Sequence, residues 1–145
     1  GTFAHLLLEK GLDWDGPMLQ KAATFYREKN GISPEQAEMV LGWVEKTLRS
    51  EFMQRARGSK KVFRELPLTI KQDDGIYLNA VLDLAFLEDD QWVLVDYKSD
   101  QNQDERKEKY KKQLGLYGEI LEKLTDKKVK SRNLYFLRTQ QVLPV

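Results

Sequence analysis

Apolar positions recur at helical spacing through the first part of the chain and at strand spacing after it. Phe3, Leu6, Leu7 and Leu8 open the sequence as a helix over about residues 1–10. Gly11 to Gly16, containing Asp13-Trp14-Asp15-Gly16, is a break. Pro17 suits a first helical turn, and Asn30-Gly31 stops a second helix near Lys29. A third helix starts at the N-cap Ser33 and Pro34, with Glu35 and Glu38 near the positive end of its dipole. Its stripe of Val40, Trp43, Val44, Leu48 and Phe52 predicts one continuous helix, with Arg49, Arg55 and Arg57 near its negative end. Gly58-Ser59-Lys60-Lys61 is a loop.

After Lys61 the spacing becomes alternating. Val62 to Ile70, Ile76 to Leu87 and Gln91 to Tyr97 read as strands. The short turns Asp73-Asp74-Gly75 and Glu88-Asp89-Asp90 make them an antiparallel meander. A helix returns from about Asp104 to Leu124, with Tyr110, Leu114, Tyr117, Leu121 and Leu124 on one stripe. Asn133 to Arg138 reads as a last strand, which a helical crossover can add in parallel. The fold class is therefore α/β in one domain: a helical section over residues 1–61, then an αβ core over 62–145. The start at Gly1, already inside a helical pattern, reads as the edge of a piece cut from a longer chain.

Composition narrows the chemistry. A chain of 145 residues with 41% hydrophobic content can build one core. The absence of Cys excludes disulfide scaffolds, thiolate zinc sites, iron–sulfur clusters and Cys nucleophiles, and agrees with a reducing compartment. Runs such as Val93-Leu94-Val95 are too short to span a bilayer. The 24 Lys+Arg residues nearly balance the 23 Asp+Glu, so no bulk positive field coats nucleic acid. Local phosphate contacts beside acidic metal ligands remain compatible with that balance.

Turn geometry then gathers acids. A two-residue turn at Asp89-Asp90 sets Asp83 opposite Asp96, with Cβ atoms roughly 4.5–5.5 Å apart. A three-residue loop with Gly75 in the left-handed position sets Glu65 opposite Asp83. Lys98, two residues beyond Asp96, shares its face. Three acids and a Lys in one row, within apolar stretches, either form an ion-pair network or bind a hard divalent cation such as Mg²⁺ or Mn²⁺. The repulsive reading predicts that Asp83→Asn or Asp96→Asn stabilises the metal-free fold. The only histidine, His5, lies on an apolar helix and could be a core residue or a ligand.

Asp83 followed by Asp96-Tyr97-Lys98 resembles the catalytic signature of the PD-(D/E)XK nuclease superfamily. Val95-Asp96-Tyr97-Lys98-Ser99-Asp100 is similar to the VDYKTD-type motif of its RecB-like branch. Gly1-Thr2-Phe3-Ala4-His5 with Leu8-Glu9, Arg64-Glu65-Leu66-Pro67, and Gln113-Leu114-Gly115-Leu116-Tyr117 resemble that branch's GTxxH…LE, E-x-P and Q-x-x-x-Y elements. One departure is Ala80, where the family often has Gly; it bears on backbone approach more than on chemistry. The likeness is greatest to the C-terminal nuclease domain of AddA-type helicase–nucleases.

The resemblance implies a restriction-endonuclease-like core and metal-dependent DNA hydrolysis, expected of a single-strand exonuclease in double-strand-break processing. It implies His5, Asp83, Asp96 and the Tyr97 carbonyl as metal ligands, Lys98 and Glu65 as catalytic groups, and Gln113 and Tyr117 as DNA contacts. Glu9 either orients His5 or lies on the surface. The expected partners are DNA, an AddB-like protein and helicase domains of the same chain, and the cytoplasm is the expected location. ATP would enter only through a motor outside this segment. Lys107, Lys109, Lys111, Lys112, Arg55, Arg57, Lys60 and Lys61 are candidate phosphate contacts, and Trp14 a candidate base-stacking ring. The rival readings are an inactive nuclease-like scaffold and a stand-alone phage-type exonuclease.

Overall fold

The computed structural model describes residues 2–99 and 106–145. Four helices come first: α1 (Thr2–Gly11), α2 (Gly16–Asn30), α3 (Pro34–Arg49) and α4 (Glu51–Arg57). Three strands follow: β1 (Val62–Lys71), β2 (Tyr77–Glu88) and β3 (Gln91–Lys98). Then come α5 (Lys107–Thr125), β4 (Val129–Phe136) and β5 (Gln141–Pro144). Among the described residues no helix is long and apolar enough to cross a membrane.

The helix ends follow from their capping chemistry. Asp15 accepts from the Met18 amide, and Gly31 closes α2 in the left-handed region at φ 65°. The single long third helix expected from the apolar stripe is two helices. Ser50 is extended at φ −65°, ψ 156°; its hydroxyl donates to the Thr47 carbonyl at 2.6 Å and accepts from the Met53 amide at 3.3 Å. One serine thus ends α3 and caps α4. The turn it makes lets Phe52 reach edge-on toward Phe86 and Tyr135.

The sheet has the order β1-β2-β3-β4-β5. Both hairpins adopt the register set by their turns, with Leu66 opposite Leu82 and Leu84 opposite Val95. Gly75 takes its left-handed position, while Asp89 and Asp90 both hold positive φ in the two-residue turn. β4 adds to β3 in parallel through the α5 crossover. It begins at Val129 and stops at Phe136, before Arg138. The alternation pattern does not predict β5, a four-residue edge strand ending in Pro144, antiparallel to β4. On α5, Tyr110, Leu114, Tyr117 and Leu121 are buried, but Leu124 is 72% exposed and leaves the stripe. The expected helix start at Asp104 lies outside the described residues.

Helices cover both faces of the sheet. Leu84, Phe86, Val93, Val95 and Tyr97 pack with α1, α3 and α4, whereas Ala85, Leu87, Trp92 and Leu94 pack with α5. This alternation fails at one place. Leu82 joins the α5 side although it is two residues from Leu84. The interruption falls at Asp83, level with Glu65, which holds a left-handed φ of 51° within β1 and is skipped by the β1–β2 register.

Candidate active site

β2 and β3 keep their pairing to Leu84–Val95 and then part. Beyond that rung the Tyr97 amide donates to Oδ2 of Asp83 at 2.8 Å, so a side chain takes the place of a backbone partner. The Lys98 carbonyl accepts from the Leu137 amide on the β4 side at 2.9 Å. Strand alternation therefore turns both the amide and the carbonyl of Tyr97 toward the gap. The sheet forks at this point, and both aspartates lie in the fork, 7% and 8% exposed for Asp83 and Asp96.

Side chains from three directions close on the fork. From α1, Nε2 of His5 lies 3.2 Å from Oδ2 of Asp83. From the end of β3, Lys98 Nζ lies 2.7 Å from Oδ2 of Asp96. The same ammonium sits over the Tyr110 ring of α5, 3.6 Å from its centroid. The ion pair is short but poorly directed, and the buried Asp96 Oδ2 receives no well-aligned hydrogen bond. Gln113 donates to the Tyr117 hydroxyl at 2.6 Å on the adjoining helix face.

The charges show the strain of this packing. Burial and the neighbouring Asp83 push Asp96 up to about 7, against a smaller pull from Lys98. Burial also pushes Asp83 upward, but bonds from His5, Asp96 and the Tyr97 amide outweigh it and hold Asp83 below the usual carboxylate range. The two aspartates act on each other in opposite directions, which accounts for the split. Glu65 is raised by burial and by Asp83, with a smaller push from Glu9 and an opposing pull from His5. Tyr117 is raised mainly by burial, and both aspartates add to it. The fields of all these groups overlap.

As the side chains stand, no three His, Asp or Glu among the described residues form a ready metal cage. The reason is visible in the contacts: His5 and the Tyr97 amide occupy Asp83, and Lys98 leans on Asp96. The donor set nevertheless fits a small hard divalent ion. It offers two carboxylates, an imidazole and a main-chain carbonyl, and a bound cation would take the place that the Lys98 ammonium fills against Asp96.

Several sequence-predicted residues have other partners. Arg55 forks onto Glu88 at 2.7 and 2.6 Å and so is not a free phosphate contact, while the Arg57 Nε donates to the Leu12 carbonyl at 2.8 Å. Lys61 lies over Phe63. Lys109, Lys111 and Lys112 are exposed. Trp92 is core, its indole bonded to Thr125, whereas Trp14 and Trp43 each line an open cleft. Periodicity places Tyr110 only on an apolar stripe; a Lys on the neighbouring strand end is the one sign of its second role. Asp100 and Gly1 of the motifs lie outside the described residues.

A profile of the PD-(D/E)XK nuclease superfamily matches residues 1–142. The chain is similar to AddA proteins, whose full name describes one subunit of an ATP-dependent helicase/nuclease. The relative from Clostridium kluyveri is 39% identical over 87 residues, covering 59% of this chain and 7% of that protein. The relative from Thermoanaerobacter sp. strain X514 is 30% identical over 166 aligned positions, covering 99% of this chain and 13% of that protein. The relative from Acetivibrio thermocellus matches at 30% over 163 positions, with the same two shares. The chain thus spans only a small part of the length of these relatives.

Proposed function

The chain belongs to the PD-(D/E)XK nuclease superfamily, and from that premise we propose that it hydrolyses DNA phosphodiesters with Mg²⁺ or Mn²⁺ at the sheet fork. The observation that carries the reading is the convergence of His5, Asp83, Asp96 and Lys98, with both carboxylates buried. A purely structural network has no need of two buried carboxylates at a break in the sheet.

His5, Asp83, Asp96 and the Tyr97 carbonyl would hold the ion. When bound, it lowers the pKa of a water and screens charge on the scissile phosphate. Lys98, braced between Asp96 and the Tyr110 ring, presents its ammonium to the charge that develops as the phosphate is attacked. It also orients the attacking water by donating to it. Glu65, raised by its surroundings, can hold a proton near this water or serve a second ion. Gln113 and Tyr117 line the α5 side, where they contact the DNA backbone.

The name shared by the relatives supports a finer proposal: a single-strand exonuclease segment fed by a helicase in the same chain, working with an AddB-like protein in end processing before recombination. One domain, with residues 1–61 supplying His5 and 62–145 the remaining ligands, belongs to the same proposal. The decisive experiment is Mn²⁺-dependent cleavage of single-stranded DNA by wild type, Asp96→Ala and Lys98→Ala. Cleavage should fall by orders of magnitude in both variants while they remain folded. Near-normal turnover by either would remove that residue from the mechanism.

A further inference from the structure

A second feature lies beside the fork. An open cleft of about 530 Å³ has Phe3 and Ala4, which precede His5, and Ser99, which follows Lys98, in its walls. Trp43 and Met39 of α3 form its apolar side, and Met39 is left 46% exposed. Arg138, just past β4, completes it. The Arg138 Nε donates to the Ser99 carbonyl at 2.9 Å, and the guanidinium carbon stands 4.7 Å from the centre of the Trp43 ring. These two contacts fix the guanidinium plane while using one of its five N–H groups. Among the described residues no carboxylate pairs with it.

A preset cation and an apolar aromatic wall, in a cleft lined by the chain neighbours of His5 and Lys98, match the two halves of a nucleotide. The cleft beside Trp14 does not: its Arg64 already lies 3.7 Å from Asp13. We propose that the Arg138–Trp43–Met39 cleft is a nucleotide subsite for the strand being cut. Arg138 takes a phosphate neighbouring the scissile one, and the base of that nucleotide lies against Met39 and Trp43. This rests on the nuclease reading of the adjacent acids, and it gives the strand a defined register across them.

The test is binding of fluorescein-labelled oligo(dT) to the 145-residue chain in EDTA, where cutting cannot contribute. Arg138→Gln and Met39→Glu change exposed positions, and their unfolding curves verify the fold. Each should weaken binding about 10-fold, within the range expected for losing one base stack or one strong phosphate contact. Arg138→Gln should also lower the slope of log affinity against log salt by about 0.7. An abasic site walked along the strand should weaken wild-type binding at one position and make no difference there to Met39→Glu. Wild-type affinity in both variants, or no single-strand binding by wild type, overturns the subsite. Asp96→Asn separates the two readings. It should keep the same positional pattern of binding and fail to cut, whereas that pattern with no wild-type cleavage would sink the nuclease reading alone.

Discussion

Replacing Asp96 by Asn should stabilise the metal-free protein at pH 8 and change little near pH 4. Burial beside Asp83 pushes Asp96 up to about 7 in the folded chain, against 3.8 as the ordinary value. A folded pKa raised in this way favours folding fully below the unfolded value. That contribution is lost as pH rises toward the folded one. At about 1.4 kcal/mol per pKa unit, the ionised Asp96 carries a penalty of at most about 4 kcal/mol above pH 7. Because Asp96 titrates together with Asp83, about 2 kcal/mol is expected. Asn keeps the shape and can accept from Lys98, so Asp96→Asn escapes the penalty. Asp83 differs. Its carboxylate is held by the Tyr97 amide and His5, so Asp83→Asn should be neutral or destabilising, contrary to the symmetric expectation from the sequence. The assay is urea unfolding in EDTA across pH 4 to 8. An Asp96→Asn variant less stable than wild type at pH 8, or an advantage that does not shrink toward pH 4, would refute the argument.

Three further outcomes are expected. Mn²⁺ should raise the melting temperature of wild type by binding the folded state, and Asp83→Asn should remove most of that shift; equal shifts would put the ion elsewhere. Glu88, held down to about 2 by Arg55 and Lys130, joins α4, β2 and β4; stability from it is present above about pH 4.5 and lost as pH falls toward 2. Glu88→Gln should therefore cost about 1 kcal/mol at pH 7, after allowance for solvent screening, and nothing near pH 2 in denaturant titrations. Ser50→Ala should cost about 1 kcal/mol, because the Met53 amide loses its cap; an unchanged unfolding midpoint would mean that packing of Phe52 alone sets the bend.

The acidic row is legible in the sequence because hairpin register is a local property. Gly75 and the Asp89-Asp90 pair fix the turns, and the turns fix which residues face each other across β1, β2 and β3. What the turns do not encode is departure from the ladder. Turn-based register carries neither the left-handed Glu65 nor the fork beyond Leu84–Val95, where the Asp83 carboxylate captures the Tyr97 amide. Similarly, the stripe from Val40 to Phe52 keeps helical phase across Ser50, so periodicity alone cannot show the bend. β5 is too short and polar to stand out, and Pro144 argues against a strand except at an edge. Arg55 looks like a free cation in the sequence because its partner, Glu88, comes from a distant part of the chain.

The fork also orders the events of folding. Asp83 and Asp96 lie on one hairpin closed by a two-residue turn, so they meet early, at little loop-closure cost. His5 must return from the first helix, and β4 can join β3 only after α5 has crossed over. The two aspartates therefore confront each other before His5 and the α5 layer arrive, with only the Tyr97 amide and Lys98 of the same hairpin to offset them. Docking of α1 then comes late. Leu7→Ala, at a fully buried position of that helix, should speed unfolding and leave the refolding rate near that of wild type. A refolding rate that falls in step with stability would place α1 in the nucleus instead.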